Sequence, residues 1–258
     1  MIKAVFFDID GTLLDHEFHR MPRSTLTALK QLRKQGIKLF VATGRPPNNL
    51  TTIKQWFDFD GYLTSNGQYC FNEETVIYEK YIEYDDIKNI LPYLNEFQIP
   101  VLFATLEENF SNIANYRLDE VASSLNQPRY PVKSADEILD HQIVQLMAYI
   151  DEAEDEKFLS YLPNCKSVRW TPVFADIIPI DGGKNRGIDQ MIKHYQIDLD
   201  EVMAFGEGGN DIDMLQHVGI GIAMGNASDI VKAASDYVTS KIDDDGIYRG
   251  LKKFGLIE

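Results

Sequence analysis

The first 65 residues alternate between short apolar runs and segments whose apolar residues recur at helical spacing. The apolar runs predict buried strands at Ala4–Phe7, Ile37–Ala42 and Tyr62–Ser65. The segments between them predict helices over Ser24–Gln35 and Thr51–Phe57. A β-α-β-α-β order makes the strands parallel, because each helix crosses back over the sheet. The pattern therefore predicts an α/β fold with a doubly wound parallel sheet.

The same alternation returns near the end of the chain. There the predicted helices are Lys184–Tyr195, Asp211–His217 and Asp229–Ala234. The predicted strands are Val202–Phe205, Ile220–Ala223 and Tyr237–Thr239. These segments are expected to extend the sheet that the first segments begin.

The middle of the chain has a different rhythm, with longer helical segments and strands that alternate in polarity. The predicted helices there are Asp85–Phe97, Leu118–Leu125 and Glu152–Leu162. The predicted strands are Val101–Ala104, Ile143–Ile150, Ser167–Thr171 and Ala175–Ile180. We therefore expect an inserted α+β domain at residues 83–181, between two parts of a core domain at residues 1–82 and 182–258.

Composition excludes several classes of protein. A net charge of −15 repels phosphate backbones and anionic lipid, so a nucleic-acid or membrane-surface partner is not expected. The cysteines, Cys70 and Cys165, form no disulfide framework and no Cys-x-x-Cys pair. The first apolar run is interrupted at Asp8, which is not typical of a signal peptide, and no apolar run approaches the ~20 residues of a membrane span. A cytoplasmic location is expected.

Two acids, Asp8 and Asp10, end the first predicted strand. They would lie at the carboxyl edge of the sheet, where open α/β sheets bind ligands. Two carboxylates this close repel each other unless a cation neutralises them, and Mg²⁺ commonly combines few carboxylates with water and a substrate phosphate. A carboxylate beside such a cation can attack phosphorus. The spacing therefore fits phosphoryl chemistry at this edge, although for this pair alone two surface acids that close a strand are the favoured interpretation.

Four segments of the chain resemble, in order, the four motifs of the haloacid dehalogenase superfamily. They are FFDIDGTLL at Phe6–Leu14, VATGR at Val41–Arg45, Lys184 within DGGKNRG, and FGEGGNDIDML at Phe205–Leu215. The closing IGIAMGNA resembles the Cof-type branch, which carries a large cap between the second and third motifs. The resemblance spans essentially the whole chain and implies a Rossmann-like core with an inserted cap.

The resemblance implies a role for each matching residue. Asp8 corresponds to the nucleophile and Asp10 to the general acid and base, whose backbone carbonyl also binds metal. The implied Mg²⁺ ligands are Asp8, Asp10, Glu207 and Asp211, with Asp211 either contacting the other ligands or binding the metal through water. The implied phosphate-binding residues are Ile9, Thr43, Gly44, Lys184 and Asn210.

Three positions carry more than one interpretation. Glu207 stands where the family usually has Asp, so it is either a tolerated metal ligand or a change that weakens metal binding. Arg45 precedes two prolines and either assists phosphate binding or only leads into a helix. In this family an Asn-Gly pair such as Asn66-Gly67 lies near the site and leads into a hairpin, although a simple turn is the favoured interpretation.

The function expected from these residues is a Mg²⁺-dependent phosphatase that acts on a small phosphorylated metabolite, with sugar phosphates foremost, through an aspartyl phosphate. A phosphosugar mutase and a non-catalytic phosphometabolite sensor are the alternatives. The mutase is disfavoured because few arginines, Arg117, Arg129 and Arg169, lie in the inserted domain to hold a second phosphate. A monomer or weak homodimer is expected.

Overall fold

The computed structural model describes residues 1–124 and 129–258, so the predicted helix Leu118–Leu125 ends outside the described residues. Contacts divide the chain into two compact units. The first contains Met1–Arg45, Asn49–Glu79 and Gly183–Glu258, and the second contains Pro46–Asn48 and Lys80–Gly182. The expected domain limits, 82/83 and 181/182, stay a prediction.

Short strands and helices succeed each other along the chain. In chain order the strands are β1 (Ala4–Phe7), β2 (Lys38–Ala42), β3 (Gly61–Thr64), β4 (Tyr69–Phe71), β5 (Val76–Glu79), β6 (Val101–Ala104), β7 (Asn109–Ser111), β8 (Gln145–Ala148), β9 (Cys165–Val168), β10 (Ala175–Pro179), β11 (Val202–Gly206), β12 (Ile220–Ala223) and β13 (Tyr237–Val238). The helices are α1 (Arg23–Lys34), α2 (Thr51–Lys54), α3 (Tyr84–Phe97), α4 (Tyr116–Ser124), α5 (Ala135–Leu139), α6 (Asp155–Leu159), α7 (Lys184–Tyr195), α8 (Ile212–His217), α9 (Asp229–Ala233) and α10 (Gly246–Lys253).

The sheet of the first unit has the strand order β13-β12-β11-β1-β2-β3-β4-β5. The strands from β13 to β3 run parallel, whereas β4 and β5 are antiparallel additions at one edge. The chain passes from β1 to β2 on one side and returns to β11 on the other. This reversal makes a crevice at the carboxyl ends of β1 and β11, the usual ligand position in such sheets. The predicted doubly wound α/β fold is confirmed.

Helices pack on both faces of this sheet. Because side chains alternate along each strand, successive residues of a strand are buried on opposite faces. Phe6 belongs to a core cluster with Ile188 of α7, on one face. Phe7 belongs to a cluster with Leu29 of α1 and Leu251 of α10, on the other face. The continuous apolar character of β1 follows from this two-sided burial.

The second unit has an antiparallel sheet in the order β7-β6-β8-β10-β9. Phe103 of β6 and Leu146 of β8 share a core cluster with Ile90 of α3, Ile138 of α5 and Phe158 of α6. Helices thus cover a face of the sheet, which agrees with the predicted α+β character of this segment.

Several predicted boundaries are wrong by a few residues. Helix α1 begins at Arg23, so Ser24 lies inside it, and α2 ends at Lys54 instead of Phe57. Strand β9 ends at Val168, because its pairing with β10 stops at Val168↔Asp176. In the described part of the chain, no helix is long and apolar enough to cross a membrane.

Candidate active site

The carboxyl edge of the sheet brings the first and last motifs together. Asp8 directly follows β1, and its backbone N–H donates to the carbonyl of Phe205 at 3.0 Å. Phe7 and Phe205 are paired in the register of β1 and β11, so Asp8 and Glu207 leave neighbouring strands close to the same level. Parallel pairing therefore places residues about 200 positions apart at one edge.

A buried lysine links two carboxylates at this edge. Lys184 is the first residue of α7, and its Nζ lies 2.8 Å from Oδ1 of Asp8 and 2.6 Å from Oδ1 of Asp211. The Lys184 side chain has no exposed surface. The other oxygen of Asp211, Oδ2, accepts hydrogen bonds from the backbone N–H groups of Glu207 and Gly208, each at 2.9 Å. Asp211 therefore fixes both the ammonium group and the loop after β11.

Burial and neighbouring charges shift the pKa values of both Asp8 and Lys184. Burial raises the pKa of Asp8, Lys184 lowers it, and Asp211 and Asp10 raise it again, with a net shift upward. Burial also disfavours the charged form of Lys184, but Asp211 and Asp8 outweigh it and raise the pKa of this lysine. Lys184 is thus a fixed cation beside Asp8.

Asp10 has a cationic partner of its own. Nε of Arg45 lies 2.9 Å from Oδ2 of Asp10, and one terminal guanidinium nitrogen lies 2.6 Å from Oδ1. Burial alone would lower the pKa of Arg45, but the hydrogen bond to Asp10 raises it. This ion pair is a role that neither sequence interpretation of Arg45 included.

Glu207 makes longer side-chain contacts than the other acids of the site. Its Oε2 is 3.5 Å from Nδ2 of Asn226, and its Oε1 is 3.8 Å from Nε2 of His16. Burial, followed by the charge of Asp211, raises the pKa of Glu207 to about 7. A Cβ on Gly11, whose φ is +73°, would lie 2.9 Å from Cδ of Glu207, so this position favours glycine. A cation near Glu207 would therefore stabilise its charged form.

Asn226 is a site residue that the sequence analysis missed. Its Nδ2 donates to the carbonyl of Gly11 at 2.9 Å, and its Oδ1 accepts from the backbone N–H of Ile242 at 3.1 Å. It thereby joins the turn after β1 to the segment after β13. The signal was the Asn of IGIAMGNA, which the motif comparison had used only to recognise the branch of the family.

Two of the phosphate-binding candidates, Thr43 after β2 and Asn210 after β11, are connected through Asn66, which follows β3. Nδ2 of Asn210 donates to Oδ1 of Asn66 at 2.9 Å, and the backbone N–H of Asn66 donates to the carbonyl of Thr43 at 2.9 Å. Asn66 has φ 54° and ψ 39°, a left-handed conformation that Asn tolerates better than most residues. Asn66 is therefore part of the site's hydrogen-bond network as well as a turn residue.

The remaining three candidates, Ile9, Thr43 and Gly44, are suited to bind phosphate through the backbone or a hydroxyl. The side chain of Ile9 is fully buried in the core, so only its backbone is suited to contact a phosphate. Thr43 is also buried, and its Oγ1 accepts from the backbone N–H of Arg45 at 3.1 Å. Gly44 lies between these two hydrogen-bonded residues. Their phosphate-binding roles stay predictions.

The net charge of the acidic and basic side chains at this site suits a bound divalent cation. The acids Asp8, Asp10, Glu207 and Asp211 share two cationic partners, Lys184 and Arg45, which leaves an excess of negative charge. Among the described residues, no three His, Cys, Asp or Glu side chains converge on one point. Mg²⁺ does not require such a cage, because it commonly keeps several waters and takes one or two carboxylates.

Comparisons with known proteins identify the family of this chain. The family model for haloacid dehalogenase-like hydrolases matches residues 5–251. The Bacillus subtilis protein YkrA, provisionally named a phosphatase, is 32% identical over 99% of both chains. The solved structure of BT4131, described as a subclass IIB sugar phosphatase of this superfamily, is 41% identical, covers 99% of this chain and 100% of its own, and has a TM-score of 0.93.

A second solved structure extends the agreement. BT1666 of Bacteroides thetaiotaomicron, described among the phosphatases of the same superfamily, is 36% identical, covers 100% of this chain and 96% of its own, and has a TM-score of 0.92. These matches confirm the predicted enzyme class, a phosphatase of the haloacid dehalogenase type. The chain belongs to the haloacid dehalogenase-like hydrolase family.

Proposed function

We propose that this enzyme hydrolyses the phosphate monoester of a small metabolite, a sugar phosphate, with Mg²⁺ and through an aspartyl phosphate on Asp8. The observation that carries the proposal is the buried Asp8 carboxylate at the carboxyl edge of the sheet, 2.8 Å from the ammonium group of Lys184. A carboxylate held in one orientation beside a fixed cation is suited to attack an anionic phosphate, since the cation offsets the repulsion between the two anions.

In the first step, a carboxylate oxygen of Asp8 forms a bond to phosphorus while the bond from phosphorus to the ester oxygen breaks. The leaving sugar oxygen takes a proton from the carboxyl group of Asp10. Lys184 faces the charge that develops on the transferring phosphoryl group, and Asn210 and Thr43 are placed to orient it. The products of this step are the free sugar and the aspartyl phosphate.

In the second step, water attacks phosphorus and Asp10 accepts its proton. The bond from phosphorus to the Asp8 oxygen breaks, which regenerates the carboxylate and releases inorganic phosphate. Asp10 therefore acts once as an acid and once as a base, and it ends the cycle protonated as it began.

The residues that would hold Mg²⁺ are Asp8, the backbone carbonyl of Asp10 and Glu207. A bound Mg²⁺ supplies positive charge to the phosphate oxygens and lowers the repulsion between nucleophile and substrate. Asp211 is less suited to direct ligation, because Lys184 and two backbone N–H groups already engage its two oxygens.

The proposed substrate class is supported by the described function of BT4131, a sugar phosphatase that matches essentially all of this chain. We propose that residues 83–181 act as the cap that selects the sugar. The alternative of a mutase gains no support, because Arg129 and Arg169 each pair with an aspartate, Asp119 and Asp155. The paired Asp8 and Lys184 also favour an enzyme over a non-catalytic sensor.

A phosphate-release assay tests the proposal. The purified enzyme is assayed with hexose phosphates, nucleoside monophosphates, phosphoserine and p-nitrophenyl phosphate, with Mg²⁺ or with excess EDTA. Hexose phosphates should give the highest kcat/KM, and EDTA should stop turnover until Mg²⁺ is restored. Equal activity in EDTA, with no metal found by elemental analysis, would contradict the metal requirement. No release from any hexose phosphate would contradict the substrate class.

The metal assignment predicts different effects for two acids. Glu207→Ala should raise the Mg²⁺ concentration needed for half-maximal activity at least about tenfold, because it removes an anionic ligand. Glu207→Asp should keep metal dependence and restore the ligand length usual in the family. Asp211→Asn should lower kcat at every Mg²⁺ concentration, because it loosens Lys184 and the loop after β11.

Activity titrated against Mg²⁺ for the three variants separates these effects. A large shift in Mg²⁺ requirement for Asp211→Asn, together with a nearly silent Glu207→Ala, would transfer the ligand role to Asp211 and refute the assignment to Glu207.

A further inference from the structure

We propose that Arg45 is a positioning residue that fixes the carboxyl group of Asp10 for both proton transfers of the reaction. This inference rests on the proposed phosphatase mechanism and adds to it a residue whose role the motifs left open. It follows from the ion pair between the two side chains, which lie 35 positions apart in the sequence.

The Arg45 side chain binds both carboxyl oxygens of Asp10. Nε of Arg45 donates to Oδ2 at 2.9 Å and a terminal nitrogen donates to Oδ1 at 2.6 Å, the parallel two-point geometry that a planar guanidinium makes with a carboxylate. Two such bonds fix the torsion of the carboxyl group, whereas one bond would let it rotate. Arg45 therefore determines the direction in which the Asp10 oxygens point.

Arg45 is itself well anchored. Its backbone N–H donates to Oγ1 of Thr43 at 3.1 Å, and its carbonyl accepts from the backbone N–H of Ser65 at 2.9 Å. Its side chain is mostly buried, with 17% of its surface exposed. The guanidinium group thus extends from a backbone held by the ends of β2 and β3. Asp10, by contrast, lies in the turn after β1, so it gains its orientation from the partner.

The contacts of the Arg45 guanidinium show which of its donors Asp10 already uses. Nε and a terminal nitrogen form the edge that Asp10 occupies, and the remaining terminal nitrogen lies 3.4 Å from the carbonyl of Asn49. A phosphate could therefore bind only at the edge formed by the two terminal nitrogens, while Asp10 keeps the edge that contains Nε. The observed geometry therefore favours positioning over substrate binding.

The two proton transfers give this role a distinctive kinetic signature. A sugar oxygen is a poor leaving group and needs the proton of Asp10, whereas nitrophenolate leaves readily as an anion. The attack of water on the aspartyl phosphate needs Asp10 for every substrate. A variant with a misoriented Asp10 should therefore form the aspartyl phosphate from p-nitrophenyl phosphate quickly and hydrolyse it slowly.

The test compares Arg45→Ala and Arg45→Lys with the wild type by rapid mixing with p-nitrophenyl phosphate and by steady-state assay with a hexose phosphate. Arg45→Ala should release a burst of about one nitrophenolate per enzyme followed by slow turnover, since only the second half-reaction then needs Asp10. Its kcat for the hexose phosphate should fall about 10²-fold with KM changed little. Arg45→Lys can bind one oxygen of Asp10 at a time, so its kcat for the hexose phosphate should lie between those of the wild type and Arg45→Ala.

Two further measurements separate positioning from other roles. Added methylguanidine should speed the slow phase of Arg45→Ala, because it can refill the space beside Asp10. The matched control is Arg169→Ala, which breaks a similar two-point pair with Asp155 in the second unit. This control should keep the wild-type time course even if its Tm falls.

The outcomes that overturn the inference are distinct from failure of the proposed function. If wild-type enzyme is active but Arg45→Ala raises KM and the inhibition constant of inorganic phosphate with kcat unchanged, Arg45 binds phosphate. If both Arg45 variants lose activity uniformly with no burst and no rescue, the pair is only structural. If the wild type itself releases no phosphate, the proposed function fails first.

Discussion

Replacing Asp8 by Asn is expected to reduce phosphate release by more than about 10³-fold, with the fold intact. The amide has nearly the volume of the carboxylate but is a poor nucleophile, so the aspartyl phosphate cannot form. The fold should tolerate the change, because Asp211 remains to pair with Lys184 and the burial of one negative charge is relieved. Phosphate release and thermal unfolding check the activity and the fold. Acid quenching during turnover, followed by a search for the substrate's phosphoryl group on the enzyme, checks for the aspartyl phosphate.

Asp58→Asn serves as a matched control, since it makes the same change at an exposed aspartate of the first unit. It should leave both activity and Tm unchanged. Substantial turnover by a clean preparation of Asp8→Asn, or labelling of that variant at another residue, would contradict a nucleophilic Asp8.

Replacing Lys184 by Met is expected to impair both stability and catalysis. Removing one partner from a buried ion pair leaves uncompensated charge, which typically costs about 3–5 kcal/mol of the free energy of unfolding. Here the loss would leave Asp8 and Asp211 buried together. Removing a group that stabilises the transferring phosphoryl charge should also lower kcat by about 10²- to 10³-fold.

The loss of stability should depend on pH. Without Lys184 the pKa of Asp8 is raised further above its unfolded value by burial and by Asp211. An acid with a raised folded-state pKa contributes stability at low pH that is lost as pH rises through that pKa. Lys184→Met should therefore be closer to the wild type in Tm at pH 5 than at pH 8.

Lys193→Met on the exposed side of the same helix is the control, and it should be neutral at both pH values. If Lys184→Met unfolded at the same temperature as the wild type at pH 8, Lys184 would not be compensating the buried acids.

Local patterns in the sequence were enough to predict most of the strands and helices that position the site. Strand β1 was predicted because burial on both faces leaves a continuous apolar run, and α1 and α7 because one face of each is apolar. Asp8, Lys184 and the loop after β11 were identifiable because each lies in a motif that resembles the family and directly follows a strand or begins a helix. Such positions depend on a few neighbouring residues, which a single sequence reveals.

Elements that depend on distant partners were missed. Strands β4, β5 and β7 and helix α5 are each five residues or fewer in length, too short for periodicity to identify, and only the family resemblance at Asn66-Gly67 implied the hairpin of β4 and β5. Helix α10 contains Gly246 and Gly250, which lower helix propensity, yet Ile247 and Leu251 bury it against the core that includes α1. Tertiary packing stabilises these elements where local preference is weak.

By itself the sequence determined the α/β fold, the family and the residues at the strand ends. Only the tertiary structure decided which of those residues are partners: Arg45 with Asp10, Asn210 with Asn66, and Asn226 with Gly11. The physical reason is that a hydrogen bond requires atoms within about 3 Å, which sequence spacing does not fix. Strand order brings these loops to one edge of the sheet, and the shape of each turn then aims each side chain.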